Sequence, residues 1–328
     1  MKIEVNTYEK QINAFAAKHP EVLVLSADLG TSCEVKSFRA LYPDRYLTMG
    51  IAEQNMCSWA AGLAREGYRP FIHTFSVFLY RRILDQLEMS VAYPNLPVVF
   101  VGFVPGITTP GGVTHQSIND VGVLRTVPNM TIFDIGDATE IEGVLDLAYK
   151  CNGPVFIRML RKEVARLFPA DEPMVFNRSR LISEGDDVLI LSSSICTEEA
   201  MRATAALKAK GVSVAHRHVS TLKPFTDPEI LSALKKTKHG VITIENQYEI
   251  GGLSSAVAEM IAENGIATRL IPIGLTGYTH GASKMYLMKK YGIDAMHLVK
   301  AVEDLTGREL GITEADLQDE RFIDFLEV

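Results

Sequence analysis

Short, nearly continuous apolar runs alternate with longer stretches of helical periodicity along the whole chain. Val22-Leu23-Val24-Leu25, Val98-Val99-Phe100-Val101, Thr131-Ile132-Phe133 and Val155-Phe156-Ile157 are bounded by turn residues, the pattern of strands covered on both faces of a sheet. Between them the spacing predicts helices near 51–66, 78–92, 117–125 and 138–150. At 166–187 the pattern lapses: Pro169, Pro173 and the polar run Ser183-Glu184-Gly185-Asp186-Asp187 predict a linker. A second series follows, with strands at 188–191, 212–214, 241–244 and 267–271 and helices near 195–209, 227–236, 252–264 and 294–306. Residues 314–328 are acidic and are expected to form one amphipathic helix without recognisable chemistry. The alternation predicts an α/β protein of two successive α/β domains with mostly parallel sheets, over residues 1–170 and 183–328.

A chain of 328 residues is long enough for both domains to bury a core. A net charge of −7 without a long basic block argues against a general nucleic-acid binder, and Lys235-Lys236 and Lys289-Lys290 read as solvated helix faces. Cys33, Cys57, Cys151 and Cys196 show no Cys-x-x-Cys pairing or metal-ligand spacing and are expected to be reduced thiols. No segment approaches the roughly 20 uninterrupted apolar residues of a membrane span, and Met1-Lys2-Ile3-Glu4-Val5 lacks a signal-peptide core. The expectation is a cytoplasmic protein that binds neither nucleic acid nor membrane.

The most informative run is Met49-Gly50-Ile51-Ala52-Glu53-Gln54-Asn55-Met56. It sets an acidic residue in the first turn of a helix that continues through the apolar stretch 57–64. Glu53 there can complement the helix dipole, or, if desolvated, have its pKa raised into a range useful for proton exchange.

Gly50-Ile51-Ala52-Glu53-Gln54-Asn55-Met56 resembles the pyrimidine-domain motif of thiamine-diphosphate enzymes in the transketolase and deoxyxylulose-phosphate synthase group. Four further runs stand in register with that group: Ser26-Ala27-Asp28-Leu29, Thr74-Phe75-Ser76-Val77-Phe78, Thr114-His115-Gln116 and Arg125-Thr126-Val127-Pro128-Asn129-Met130. The resemblance covers most of the chain and implies a thiamine-diphosphate pyrimidine-binding domain followed by a smaller transketolase C-terminal-like domain. By it, Glu53 hydrogen-bonds the cofactor's N1′ and relays a proton. Phe78 stacks on the pyrimidine with Phe75 as a wall, and Asp28 lies near the cofactor at a subunit junction. His115 faces substrate oxygens that gain charge during bond cleavage. Ser32 contacts the substrate's phosphate and Arg161 grips it. On the residues alone, Asp28 and Ser32 can simply cap or turn the loop, Ser32 as readily as it contacts phosphate; the two phenylalanines default to core aromatics, and Arg158 and Arg166 are either alternatives to Arg161 or surface residues.

Departures from the family pattern are as informative. Gly111 stands where the family carries an acidic residue four places before the loop histidine, and Phe103 where it often carries a second histidine. The expected result is a roomier, less polar subsite suited to a branched or modified sugar phosphate. The family's Gly-Asp-Gly motif with its later Asn is missing; Gly185-Asp186-Asp187 and Gly136-Asp137-Ala138 read as turns. No metal ligand is therefore expected on this chain. Mg2+ and the diphosphate are expected on a separate N-terminal transketolase subunit, in an α2β2 assembly without which this chain is inert. Lys223-Pro224-Phe225, Glu245-Asn246, Gly251-Gly252 and His280-Gly281-Ala282-Ser283 are expected to be structural or interfacial. The implied activity is transfer of a glycolaldehyde unit between ketose and aldose phosphates. The rivals are the β chain of a 2-oxoacid dehydrogenase, whose substrate loop does not usually read Thr-His-Gln, a deoxyxylulose-phosphate synthase, and a catalytically inactive binding or scaffolding relative.

Overall fold

The computed structural model describes residues 2–318. The strands, in chain order, are β1 (Lys2–Val5), β2 (Val22–Ser26), β3 (Tyr46–Thr48), β4 (Arg69–Phe75), β5 (Val99–Phe103), β6 (Thr131–Asp134), β7 (Val155–Met159), β8 (Glu163–Arg166), β9 (Arg180–Ser183), β10 (Val188–Ser192), β11 (Val214–His218), β12 (Thr221–Lys223), β13 (Gly240–Tyr248) and β14 (Leu270–Leu275). A seven-stranded sheet has the order β12-β6-β7-β5-β4-β2-β3, and a five-stranded sheet the order β14-β13-β10-β11-β9. The first is parallel except at β12, which runs antiparallel to β6. In the second, only β9 is antiparallel.

The sheets are covered on both faces because the flanking helices carry narrow apolar stripes. Helix α1 (Thr7–Lys18) buries Tyr8, Ile12, Phe15 and Ala16, spaced as one helix face, in a core with Phe71, Val99, Val101 and Val144. After α2 (Lys36–Leu41), α3 (Glu53–Arg65) covers the opposite face with Met56, Cys57, Ala60, Ala61 and Ala64. These small residues let α3 lie close to the strands. Every residue of β2, β5 and β7 is buried, as the continuous apolar runs required.

Several sequence expectations change. Strand β4 is central yet has no clean apolar run: it contains Pro70 and His73, the latter buried and hydrogen-bonded to Tyr8. The expected linker holds β9, while β8, just before it, pairs with β1 through Lys2 and Arg166. The helix expected over 78–92 breaks into α4 (Phe78–Arg81), a short turn at Leu84–Gln86 and a π-helical turn at Leu87–Ala92. The helix expected from 117 begins at Asp120. Strands expected at 212–214 and 267–271 run over Val214–His218 and Leu270–Leu275. In the acidic tail Glu314–Leu317 is a 3-10 turn, and the rest of the expected helix, 319–328, lies outside the described residues. Among the described residues no helix is long and apolar enough to cross a membrane.

The seam between the two sheets contains buried charge. Arg158, at the end of β7, forms ion pairs with Asp120 (3.0 Å) and Asp134 (2.8 Å), all three inaccessible to solvent. It also donates to the backbone carbonyls of Asn246 (3.1 Å) and Ser117 (3.4 Å), tying β13 of the second domain to the first.

Candidate active site

In the first sheet β2 connects to β3 on one side, and the chain then crosses to β4 on the other. Strand order thus reverses between β2 and β4, and the crevice beyond their carboxyl ends is where open α/β sheets bind ligands. Asp28 and Ser32 follow β2, Phe75 and Phe78 end β4 and begin α4, and Arg161 follows β7. Glu53 enters at the start of α3, just after the turn at Gly50.

Five of the seven expected residues form one connected group. Glu53 is 5% exposed, although its neighbours Gln54 and Asn55 face solvent. The rings of Phe75 and Phe78 stack with centroids 5.9 Å apart and a 27° tilt, and His115 stands edge-on to both at 6.1 and 5.7 Å. The Arg161 guanidinium lies 5.3 Å over Phe75 and donates to the Ser32 carbonyl at 3.0 Å. Arg161 also lines a cavity of about 220 Å³ with Thr108 and Lys284. Ser32 joins the group through its backbone. Asp28 adopts a left-handed conformation (φ 59°), exposes its side chain and forms no side-chain hydrogen bond or ion pair among the described residues.

The loop presenting His115 is held from both sides. Thr114 Oγ1 lies 2.9 Å from His115 Nδ1, and Arg81 donates to the Val113 carbonyl at 3.0 Å. Buried Gln116 donates to the Thr109 carbonyl and accepts from Thr279, so the Thr-His-Gln run anchors one residue in the second domain and turns the one before it towards the rings. Asn246 receives Ile107 N–H at 3.0 Å and donates to the Pro105 carbonyl. A Cβ at Gly106 (φ 58°) would come within 2.1 Å of the Asn246 carbonyl, so only glycine permits this clamp. Glu245 accepts the N–H groups of Leu253 and Ser254 at the start of the helix Leu253–Glu263, and burial pushes its carboxyl up to about 7. Glu245 and Asn246 are thus structural supports.

Two expectations about the site need correction, and one neighbour of Glu53 was not foreseen. Arg158 is consumed by the seam, and Arg166 pairs with Glu142 and Glu4, so neither is an alternative to Arg161. Phe103 does not line the site: strand alternation turns it to the face beneath α1, where it meets Tyr8 edge-on at 5.2 Å. The wall beside Glu53 is not simply apolar either. Arg82 Nη1 lies 2.5 Å from Glu53 Oε1, with its guanidinium 3.9 Å over the Phe78 ring. Sequence reasoning missed Arg82, though it stands four residues after Phe78, the spacing that puts two side chains on one helical face.

These residues fit the pyrimidine half of thiamine diphosphate, the cofactor implied by the resemblance: a flat aromatic face stands beside a buried carboxylate able to hydrogen-bond a ring nitrogen. Among the described residues no three His, Cys, Asp or Glu side chains gather to hold a metal ion. Asp137 caps the helix Ala138–Lys150, and Asp186 and Asp187 pair with Lys238, so both acidic strings are turns. Beside Glu53, Ile51 in the turn before α3 and Trp59 on α3 are 76% and 52% exposed, an open apolar margin. A cavity of about 650 Å³ opens in the second domain between Met285, Met288, Met296 and Leu317. It is larger, but none of the stacked rings, the loop histidine or Glu53 lines it, and the crevice is the better site.

Residues 5–166 match the family model of the transketolase pyrimidine binding domain, and residues 177–298 that of the transketolase C-terminal domain. The 6-deoxy-6-sulfo-D-fructose transketolase subunit SqwH of Clostridium sp. (strain MSTE9) is 36% identical over 313 residues, 93% of this chain and 94% of that one. A putative transketolase C-terminal section of Methanocaldococcus jannaschii is 33% identical, covering 92% and 96%. Among solved structures, a split gene transketolase in an inactive beta4 tetramer matches with a TM-score of 0.85 at 33% identity, over 92% of this chain and 97% of that one. The chain belongs to the transketolase family and carries its pyrimidine-binding and C-terminal domains in succession.

Proposed function

We propose that this chain is the pyrimidine-domain subunit of a split, thiamine-diphosphate-dependent transketolase. It would work in the cytoplasm and only with an N-terminal subunit that brings Mg2+ and the diphosphate site, as an α2β2 assembly. The domain boundaries 1–170 and 183–328 belong to this reading. The observation that carries it is the convergence of Glu53, Phe75, Phe78, His115 and Arg161 at one crevice.

When bound, thiamine diphosphate supplies the carbon nucleophile that breaks and re-forms the bond next to a ketose carbonyl. Glu53 holds a proton at N1′, and the Phe78 face orients the ring. His115, steadied by Thr114, offers a hydrogen bond to substrate oxygens where charge develops. Arg161 takes the terminal anion of the sugar with its planar fork; Ser32 borders that end. Asp28 lies at the junction with the partner, where its free carboxylate and the Ile51 and Trp59 margin meet the other chain.

The donor is a ketose with a terminal anion, phosphate or sulfonate, modified relative to ordinary xylulose 5-phosphate. Gly111 supports this, since it removes the acidic group that the family places near the substrate. A Cβ there would approach His115 Cβ to 2.9 Å, so the loop is shaped around the missing side chain. The name of the Clostridium relative makes a sulfonated ketose the first donor to try. The inactive β4 assembly of the structural neighbour supports dependence on a partner.

Capture of the chain from its host, followed by an assay with thiamine diphosphate, Mg2+ and a donor panel, tests the proposal. Recovery of a partner carrying Gly-Asp-Gly and Asn, with ketose cleavage that disappears in Glu53→Ala, is the expected result. No partner and no thiamine-dependent turnover would instead leave a binding relative of the fold.

A further inference from the structure

Arg82 touches the same two groups that the proposed function gives to the cofactor's aminopyrimidine. Its guanidinium lies 3.9 Å over the Phe78 ring centroid, at stacking distance, while Nη1 meets Glu53 Oε1 at 2.5 Å. A guanidinium is planar, stacks on aromatic faces and donates in-plane hydrogen bonds. An aminopyrimidine presents the same combination of a flat π-face and an edge that hydrogen-bonds a carboxylate. We infer that Arg82 is a place-holder: it occupies the pyrimidine seat in the cofactor-free chain and must leave when the cofactor binds. This inference rests on the proposed function and adds to it a residue that sets cofactor affinity.

The surroundings suit a removable occupant. The Glu53 side chain is 5% exposed, and a buried carboxylate without a counter-charge is costly. Arg82 supplies that charge from the solvent side, its own side chain being 43% exposed, so rotation of its stem carries the guanidinium into water without breaking core packing. The four-residue spacing from Phe78 fixes the stack, and Phe78 itself rests on Phe75. Neighbouring Arg81 is engaged elsewhere, with Tyr80 and the Val113 carbonyl, and does not compete for the seat. A chain that fills its own seat would keep Glu53 neutralised until the partner and cofactor arrive together.

The test compares wild type, Arg82→Ala and Arg82→Gln, the last keeping part of the stem, with thermal melts to verify folding. In the free chain, Glu53 modification by a water-soluble carbodiimide with an amine nucleophile is followed by peptide mass mapping. In the complex with the partner subunit, the thiamine diphosphate Kd is measured by calorimetry with Mg2+ present. Glu53 should be labelled several-fold faster in both variants, and the Kd should tighten by roughly tenfold, the expected effect of removing an internal competitor worth about one decade. An unchanged or weakened Kd in both variants, with wild type still binding, would overturn the place-holder and leave the proposed function standing. Failure of every complex, wild type included, to bind thiamine diphosphate would overturn both.

Discussion

The seam and the crevice both pair arginine with carboxylate, in opposite settings. At the seam, Arg158 sits between Asp120 and Asp134 with all three sealed from water, and it also donates to two carbonyls, one on each domain. At the crevice, Arg82 reaches Glu53 from a partly solvated position and touches one ring. A sealed pair cannot open without leaving charge unsolvated, whereas a pair with one wet partner opens at modest cost. The first arrangement fixes the domains; the second leaves the buried Glu53 carboxylate, the proton relay of the proposed function, free to change partners.

The sharpest way to break this contrast is Arg158→Ala. Two buried aspartates would lose their cation, and the expected loss is about 3–5 kcal/mol in denaturant unfolding. A loss below about 1 kcal/mol would mean that the seam relaxes as easily as the crevice. Glu53→Ala should do the reverse, lowering turnover of the complex on the order of 10²- to 10⁴-fold while its unfolding midpoint stays near wild type. A folding defect in this variant would make Glu53 structural. Arg161→Ala should raise KM for an anionic donor by about 10- to 100-fold, the range expected for a charge-assisted hydrogen bond, and spare a neutral ketose. Equal losses on both donors would remove Arg161 from the anion site.

The smallest effect concerns Glu245, beside the seam. Burial raises its folded value from 4.5 to about 7, so the folded state holds a proton that the unfolded chain has already released. Its contribution is therefore fully present below pH 4.5 and is lost as pH rises through about 7, a decline of about 1–3 kcal/mol. Guanidinium unfolding at pH 5 and pH 8 should show a steeper decline in wild type than in Glu245→Gln. Parallel pH dependence in the two proteins would show that this carboxyl does not retain its proton.

What the sequence revealed follows from how local each signal is. Strands β2, β5 and β7 are legible because burial on both faces demands continuous apolar runs. Strand β4 is hidden by Pro70 and by His73, whose polarity is satisfied by Tyr8, 65 positions earlier. Strand β11 is displaced for a similar reason: His216 and His218 are buried because Ser192, Thr197, Thr204 and Glu140 bond them. The edge strands β8, β9 and β12 owe their existence to partners distant in sequence, which no periodicity records. At the site, the family resemblance pointed to Glu53, Phe78 and His115, but only strand parity separates Phe103 from the crevice and only the fold separates Arg158 from Arg161. Arg82 was within reach of the sequence as the residue four places beyond Phe78.

Strand β12 lies in the second half of the chain, yet it closes the edge of the first sheet: Thr221 pairs with Phe133, and Lys223 donates to the carbonyls of Arg125 and Val127. During synthesis the first sheet therefore remains unfinished until more than fifty residues beyond its own domain have emerged. A fragment stopping at residue 170 would keep β6 paired with β7 but bare its other edge, with Ile132 and Phe133 fully buried in the whole chain, to pairing with other copies. The first domain is thus expected to be a poor independent folding unit, and its solubility depends on a strand borrowed from its neighbour.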